Sequence, residues 1–140
     1  MSSASESLAR HAGAILWTVQ GILAALFLFA GGVKLSMPAA VLAQQAHMPA
    51  AFLRFIAICE ILGALGLLLP GIFRVHRELT PLAAAGLVII MTGAVTVTIA
   101  NMGAAAALMP FVVGLLALSV AYGRGRRYLP RRRVLDPRAA

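Results

Sequence analysis

Four apolar runs, each close to the length needed to cross a bilayer, take up most of this chain, and they decide what it can fold into. A helical span needs about 20 residues, and the runs fall at about 14–33, 51–69, 81–100 and 105–122. Hydrocarbon offers no water to bond open N–H and C=O groups, so lipid-exposed sheet is excluded and the runs must be helices. The expected fold is therefore all-α: a single-domain integral membrane bundle of four antiparallel helices within 140 residues. At 61% hydrophobic and 11% charged residues, nothing is left for a soluble core. The first run is too long for a signal-peptide core and offers no small-x-small cleavage site at Gly31-Gly32-Val33-Lys34, so it is expected to stay in the mature protein. Pro70-Gly71 is expected to stop the second run. Between the first two runs, Pro38 suits a helix start and Pro49 a helix end. Val41, Leu42 and Met48 set against Gln44 and Gln45 suit a short interfacial helix there; an irregular loop fits the same residues.

The basic residues choose an orientation. Arg10, Arg74, Arg77, Arg124, Arg126, Arg127, Arg131, Arg132, Arg133 and Arg138 fall at one end of the spans, and Lys34 and Arg54 at the other. The excess of positive charge on cytoplasmic segments puts both termini in the cytoplasm, with the chain in the plasma (inner) membrane. The stretch 123–140 reads as a basic cytoplasmic tail. It follows directly on a span, which favours contact with anionic lipid head groups over nucleic acid. Cys59 is the sole cysteine; it rules out an internal disulfide or a CxxC relay and reads as a small packing residue. Small-residue pairs such as Gly63 and Gly66, or Gly86 and Gly93, let membrane helices approach closely. Besides the lipid bilayer, a homo-oligomer or a larger membrane complex stands as the partner class.

Glu60 lies in the middle of the second apolar run. A carboxylate at such a depth costs several kcal/mol, at least about 2.5, unless it is neutralised or paired, which makes it a candidate proton-handling residue. The spans alternate in direction, so depths can be compared. The first ends outward near Lys34; the second starts outside, with Arg54 near the surface and Glu60 about 9 Å deeper. The third runs outward, placing Thr92, Thr96 and Thr98 in its outer half and Asn101 at its end. Lys34, Arg54, Thr92, Thr96 and Asn101, with His47 above them, are thus candidate ligand-binding residues around Glu60. Arg54 sits about 240° around the helix from Glu60. Lys34 arrives from the neighbouring helix past Gly31-Gly32 on a stem that can snorkel, so it is the first choice of partner and Arg54 the second. A protonated Glu60 bonded to Thr92 or Thr96 is the third. Plainer readings stand beside these. A buried Glu–Lys pair can serve only to fix helix register, and threonines in membrane helices usually bond their own i−4 carbonyl. Asn101 suits a helix C-terminus, and His47 an exposed connection. Gln20 lies in the inner half, apart from the rest.

Much familiar chemistry is missing. The sequence has no HExxH, P-loop or GxGxxG. His11, His47 and His76 lie outside the spans, which argues against bis-His haem, and the only aspartate, Asp136, is in the tail. No metal set and no Ser–His–Asp constellation can be assembled. Any reaction here needs a cofactor or a reactive small molecule.

Several stretches together resemble the DoxX-like family of small four-helix membrane proteins: Gly31-Gly32-Val33-Lys34-Leu35, Arg54-Phe55-Ile56, Glu60-Ile61-Leu62-Gly63-Ala64-Leu65-Gly66-Leu67-Leu68-Leu69-Pro70, Pro81-Leu82-Ala83-Ala84-Ala85-Gly86-Leu87 and Tyr122-Gly123-Arg124. The resemblance covers about 14–124. It implies a compact bundle with Glu60 facing inward and with Lys34 and Arg54 at the family's polar positions. It also implies a redox link, since the family takes its name from a subunit of a thiosulfate:quinone oxidoreductase, while a distant animal branch acts as a receptor-assembly chaperone. Many members carry a His near the outer end of the third span; here Thr96-Val97-Thr98-Ile99-Ala100-Asn101 has none.

Two function classes follow. In one, a redox-linked component binds a quinone-like or similar amphipathic small molecule near Glu60. In the other, a non-catalytic accessory, scaffold or chaperone-like subunit packs on partner helices. A small proton-coupled transporter is a third class, disfavoured because four helices leave little room for alternating access and no internal repeat is evident.

Overall fold

The computed structural model describes residues 2–128. α1 runs over Ser2–Ser36, α2 over Ala39–Ala46, α3 over Ala50–Phe73, α4 over Leu79–Met102 and α5 over Ala104–Tyr128; no strand occurs among the described residues. Helices α1, α3, α4 and α5 are each long and apolar enough to cross a membrane. The chain is an all-α integral membrane protein. α1 packs on α3, α3 on α4 and α4 on α5, a lighter contact joins α1 to α5, and α2 lies against α3.

The sequence period explains which faces meet. α3 buries Leu53, Ala57, Glu60, Ala64, Leu67 and Pro70, and α4 buries Thr80, Pro81, Ala84, Leu87 and Met91. Apart from the adjacent pair Thr80 and Pro81 at the start of α4, steps of three and four residues keep these on one stripe of each helix. Lipid tails are as apolar as leucine, so such stripes hold by close van der Waals packing, and alanines permit it. Opposite faces leave Phe29, Leu62, Leu82, Ile89 and Met109 largely exposed, as contact with acyl chains requires.

The element ends depart from the sequence expectation in instructive ways. α1 has 35 residues, about 52 Å at 1.5 Å each, and so projects well beyond a hydrocarbon core of about 30 Å. Pro70-Gly71 does not stop α3, which continues through both to Phe73 and ends at Arg74 in the left-handed conformation, φ 55°. Pro70 forfeits one backbone bond, a loss that membrane helices tolerate, and its ring is buried. Gly71 is where Trp17 packs: a Cβ there would stand 2.5 Å from the indole. The α4–α5 turn shrinks to Gly103, whose φ of 91° suits glycine alone and whose N–H bonds the carbonyls of Thr98 and Ile99. α2 fills the connection between Pro38 and Pro49 and buries Leu42. At the other end, residues 123–128 of the expected tail continue α5, and 129–140 lie outside the described residues.

The α1–α3 seam depends on Gly31. A Cβ there would meet Ala57 O at 2.8 Å and Ile61 Cγ1 at 2.7 Å, whereas one on Gly32 would meet nothing within 4 Å. Gly31→Ala is expected to push the helices apart at a loss of about 1–3 kcal/mol, read as a lower unfolding midpoint in detergent. Gly32→Ala should leave the midpoint unchanged; equal effects would refute this packing.

Candidate functional site

One ion pair sits on the α1–α3 seam. Lys34 Nζ donates to Glu60 Oε1 at 2.6 Å and to Oε2 at 2.7 Å. Glu60 is 1% exposed and occupies a position of the α3 stripe otherwise filled by Ala, Leu and, at its far end, Pro70. Its place about 15 Å along α3 from Ala50, at 1.5 Å per residue, is near mid-span. The two side chains converge because Cα–Cβ bonds tilt toward a helix's own N-terminus. In antiparallel α1 and α3 that leans Lys34 into the bundle and Glu60 toward the Lys34 end. Both carboxylate oxygens are thereby satisfied, which a buried charge requires.

Beside the pair is a cleft of about 430 Å³, within the roughly 300–1,000 Å³ range of small-molecule sites. α1 lines it with Phe29, Ala30, Val33 and Lys34, α2 with Leu42, Gln45 and Ala46, α3 with Leu53, and α4 with Val97, Thr98, Asn101 and Met102; Met37 completes it. The lysine side chain is 31% exposed. Lys34 thus belongs to both places: its ammonium holds the buried carboxylate while its side chain forms part of the cleft wall. The arrangement can bind a molecule with an apolar body and an oxygen-bearing head.

Of the residues singled out from sequence, the structure brings Lys34 to Glu60 and places Asn101 in the adjoining cleft. Arg54 and His47 are exposed, the latter capping α2 with φ 53°. Thr92 and Thr96 bond their own helix, to Val88 O at 2.8 Å and Thr92 O at 3.0 Å, and line a different groove between α4 and α5. Asn101 Nδ2 likewise donates to Val97 O. The threonine in the cleft is Thr98, which makes no side-chain hydrogen bond among the described residues. Gln45 and Thr98 are the two polar lining groups that sequence reasoning missed. Thr98 lies seven residues beyond Met91 on the buried α4 stripe of Ala84, Leu87 and Met91, but that stripe shows only in the packing, so no sequence signal marked it. No group of metal-ligating residues exists among the described residues.

A second buried polar cluster lies toward the other end. Arg124 belongs by sequence to the basic stretch expected to meet anionic lipid head groups, yet it is 5% exposed. Its Nε donates to Gln20 Oε1 at 2.8 Å, and its guanidinium sits 5.3 Å from the Trp17 ring centroid. Gln20 Nε2 in turn donates to the carbonyl of Leu67. This cluster ties α1, α3 and α5 together, and Arg124 is not presented to lipid head groups.

A family model described as the DoxX-like family matches residues 18–120. No curated protein and no solved structure matches the chain. The matched span contains Gln20, Lys34, Glu60, Thr98 and the whole cleft, and leaves out Arg124.

Proposed function

The chain belongs to the DoxX-like family, and we propose that it is a redox-linked membrane component that binds a quinone-like or similarly amphipathic small molecule in the cleft beside Lys34. One observation supports this above others: a buried carboxylate is held by a lysine that also lines a small-molecule-sized cleft. The ligand's oxygen accepts from Lys34, Gln45 or Thr98, while Phe29, Val33, Leu53 and Met102 cover its apolar body. Glu60, behind Lys34, gives or accepts the proton that quinone chemistry moves. The arginine distribution favours cytoplasmic termini and a site in the outer half of the plasma membrane. Arg126 and Arg127, exposed at the end of α5, are the described candidates for anionic head groups.

The test is native mass spectrometry on protein gently released from membrane. Wild type should carry an added lipophilic small molecule or take up a short-chain benzoquinone. Ala46→Phe, which fills the cleft from α2, should abolish that mass while the helices stay folded. Wild-type protein that neither carries nor takes up such a molecule would overturn the reading. An accessory-subunit role is favoured by one specific feature, an outward groove of about 440 Å³ between α3 and α4 lined by Cys59, Gly63, Gly66, Ala83 and Gly86 among others. Small residues of this kind admit a partner helix. A different protein retained at fixed stoichiometry, with no small molecule, would support that role instead.

A further inference from the structure

The Lys34 cleft does not end at α1. Phe29, Val33 and Met37 line it, and the same three residues line a second groove of about 540 Å³ on the outward side of that helix. Spaced four apart, with the Met37 N–H still bonded to Val33 O, they share one helix face and form the ridge between the two hollows. Leu28 and Gly32 continue the groove, and Ser36 adds no free polarity because its hydroxyl donates to Gly32 O at 2.8 Å. A Cβ on Gly32 would meet nothing within 4 Å, so no neighbouring helix covers the groove there. From Ser36 back to Leu28 the helix runs about 12 Å into the bilayer. A lipid whose head sits at the Lys34 end hangs its tail the same way.

The cleft carries no spare charge. Lys34 is already neutralised by Glu60, and α2 and α4 contain no Asp, Glu, Lys, Arg or His. The other polar groups of the lining, Gln45, Thr98 and Asn101, are uncharged. An anionic head would have to draw Lys34 from its buried carboxylate, and a cationic head would compete with Lys34 for it; either leaves a charge uncompensated. An uncharged head avoids both. An ammonium has three donors, Glu60 takes two contacts, and the third N–H can go to a carbonyl or hydroxyl oxygen. At about 430 Å³ the cleft is near the small end of ligand sites, so a long chain on that head has to leave it. We propose that cleft and groove form one site for a long-chain membrane lipid with an uncharged, oxygen-bearing head. The head sits on Lys34, and the tail crosses the ridge at Phe29 and Val33 and lies over Gly32. The lipid enters sideways from the bilayer, and the Lys34–Glu60 pair stays intact as it binds. The inference rests on the cleft being the ligand site, and adds the head's charge and the tail's course.

Photolabelling in bilayer nanodiscs tests this with three probes of equal chain length: a long-chain methyl ketone, an alkyl sulfonate that stays ionised, and a plain alkane. Each carries a diazirine a few carbons from the head end, and labelled peptides are mapped by mass spectrometry with and without excess duroquinone, a tail-less benzoquinone that competes for the cleft alone. The ketone should label residues 28–38, and duroquinone should cut that label about tenfold. The alkane should label every lipid-facing helix surface, and neither its label nor the sulfonate's should respond to duroquinone. Gly32→Phe fills the groove from a position with open space around it and should remove the competed ketone label; duroquinone uptake by the same variant, read by native mass spectrometry, shows that it is folded. A ketone label at 28–38 that duroquinone does not touch, a sulfonate label competed as strongly as the ketone's, or a competed ketone label that survives Gly32→Phe overturns the proposal. If wild type takes up duroquinone and Ala46→Phe blocks it while the ketone label is not competed, the cleft reading stands and only this inference falls. If wild type neither carries a lipophilic molecule nor takes up a benzoquinone, both fall.

Discussion

Lys34→Met is expected to be among the most damaging single substitutions in the bundle, lowering stability by about 3 kcal/mol or more. Its effect follows from what it leaves behind. Glu60 is 1% exposed and has both oxygens bonded to Lys34, so removing the lysine strands a carboxyl group in a stripe of alanine and leucine. The reverse change is milder. Glu60→Gln keeps an acceptor for Nζ, and the lysine, 31% exposed, can turn its head to the cleft if the bond weakens. The double variant Lys34→Met with Glu60→Leu should recover most of the loss, because an apolar pair of similar volume carries no desolvation penalty. Unfolding midpoints in detergent for the three variants measure this. A Lys34→Met protein within about 0.5 kcal/mol of wild type, the usual range for surface changes, would mean that the pair contributes nothing to the fold. A double variant no better than Lys34→Met would mean that the pair specifies helix register, and that an apolar seam cannot replace it.

The sequence made the spans legible because length and hydropathy alone determine whether a segment crosses a bilayer. Lys34 as the partner of Glu60 was legible too, from helix rise, face angle and the small residues at Gly31-Gly32. Depth was readable but azimuth was not. Thr92, Thr96 and Thr98 share a half of α4, yet Thr92 and Thr96 face the α5 side and Thr98 the cleft. An apolar helix surrounded by lipid lacks the polar face that would betray its orientation. Pro70 was misread because a proline that would break a helix in water is accommodated in one that buries its ring against neighbours. The part played by Gln45 depends on α2 lying against α3, a tertiary arrangement that no local pattern encodes. Arg124 followed an apolar run and preceded six more arginines, and its partner Gln20 is 104 residues away, so nothing local separated it from the tail.

Arg124→Met should destabilise the bundle by about 2–3 kcal/mol, the scale of losing a charge-assisted hydrogen bond and leaving a buried acceptor unpaired. Gln20 Oε1 loses the Nε donor at 2.8 Å while Gln20 Nε2 still binds the Leu67 carbonyl. The Trp17 ring also loses a guanidinium 5.3 Å from its centroid, a contact worth about 0.5–2 kcal/mol. The effect should be large because α1 and α5 otherwise touch only lightly, so this cluster supplies much of what holds that seam. Arg124→Lys should not rescue it: an ammonium keeps the charge but cannot stack its plane on the indole and hold a fixed Nε donor together. Gln20 and Lys34 are 14 positions apart on α1, about 21 Å by helix rise. Sites so far apart add within about 0.5 kcal/mol. Combining Arg124→Met with Lys34→Met should therefore give the sum of the two losses, and Arg124→Met alone should leave small-molecule binding at the Lys34 end intact. A Lys substitution that behaves like wild type would reduce Arg124 to a simple charge. Loss of ligand binding in a folded Arg124→Met protein would show instead that the two ends of the bundle are mechanically coupled.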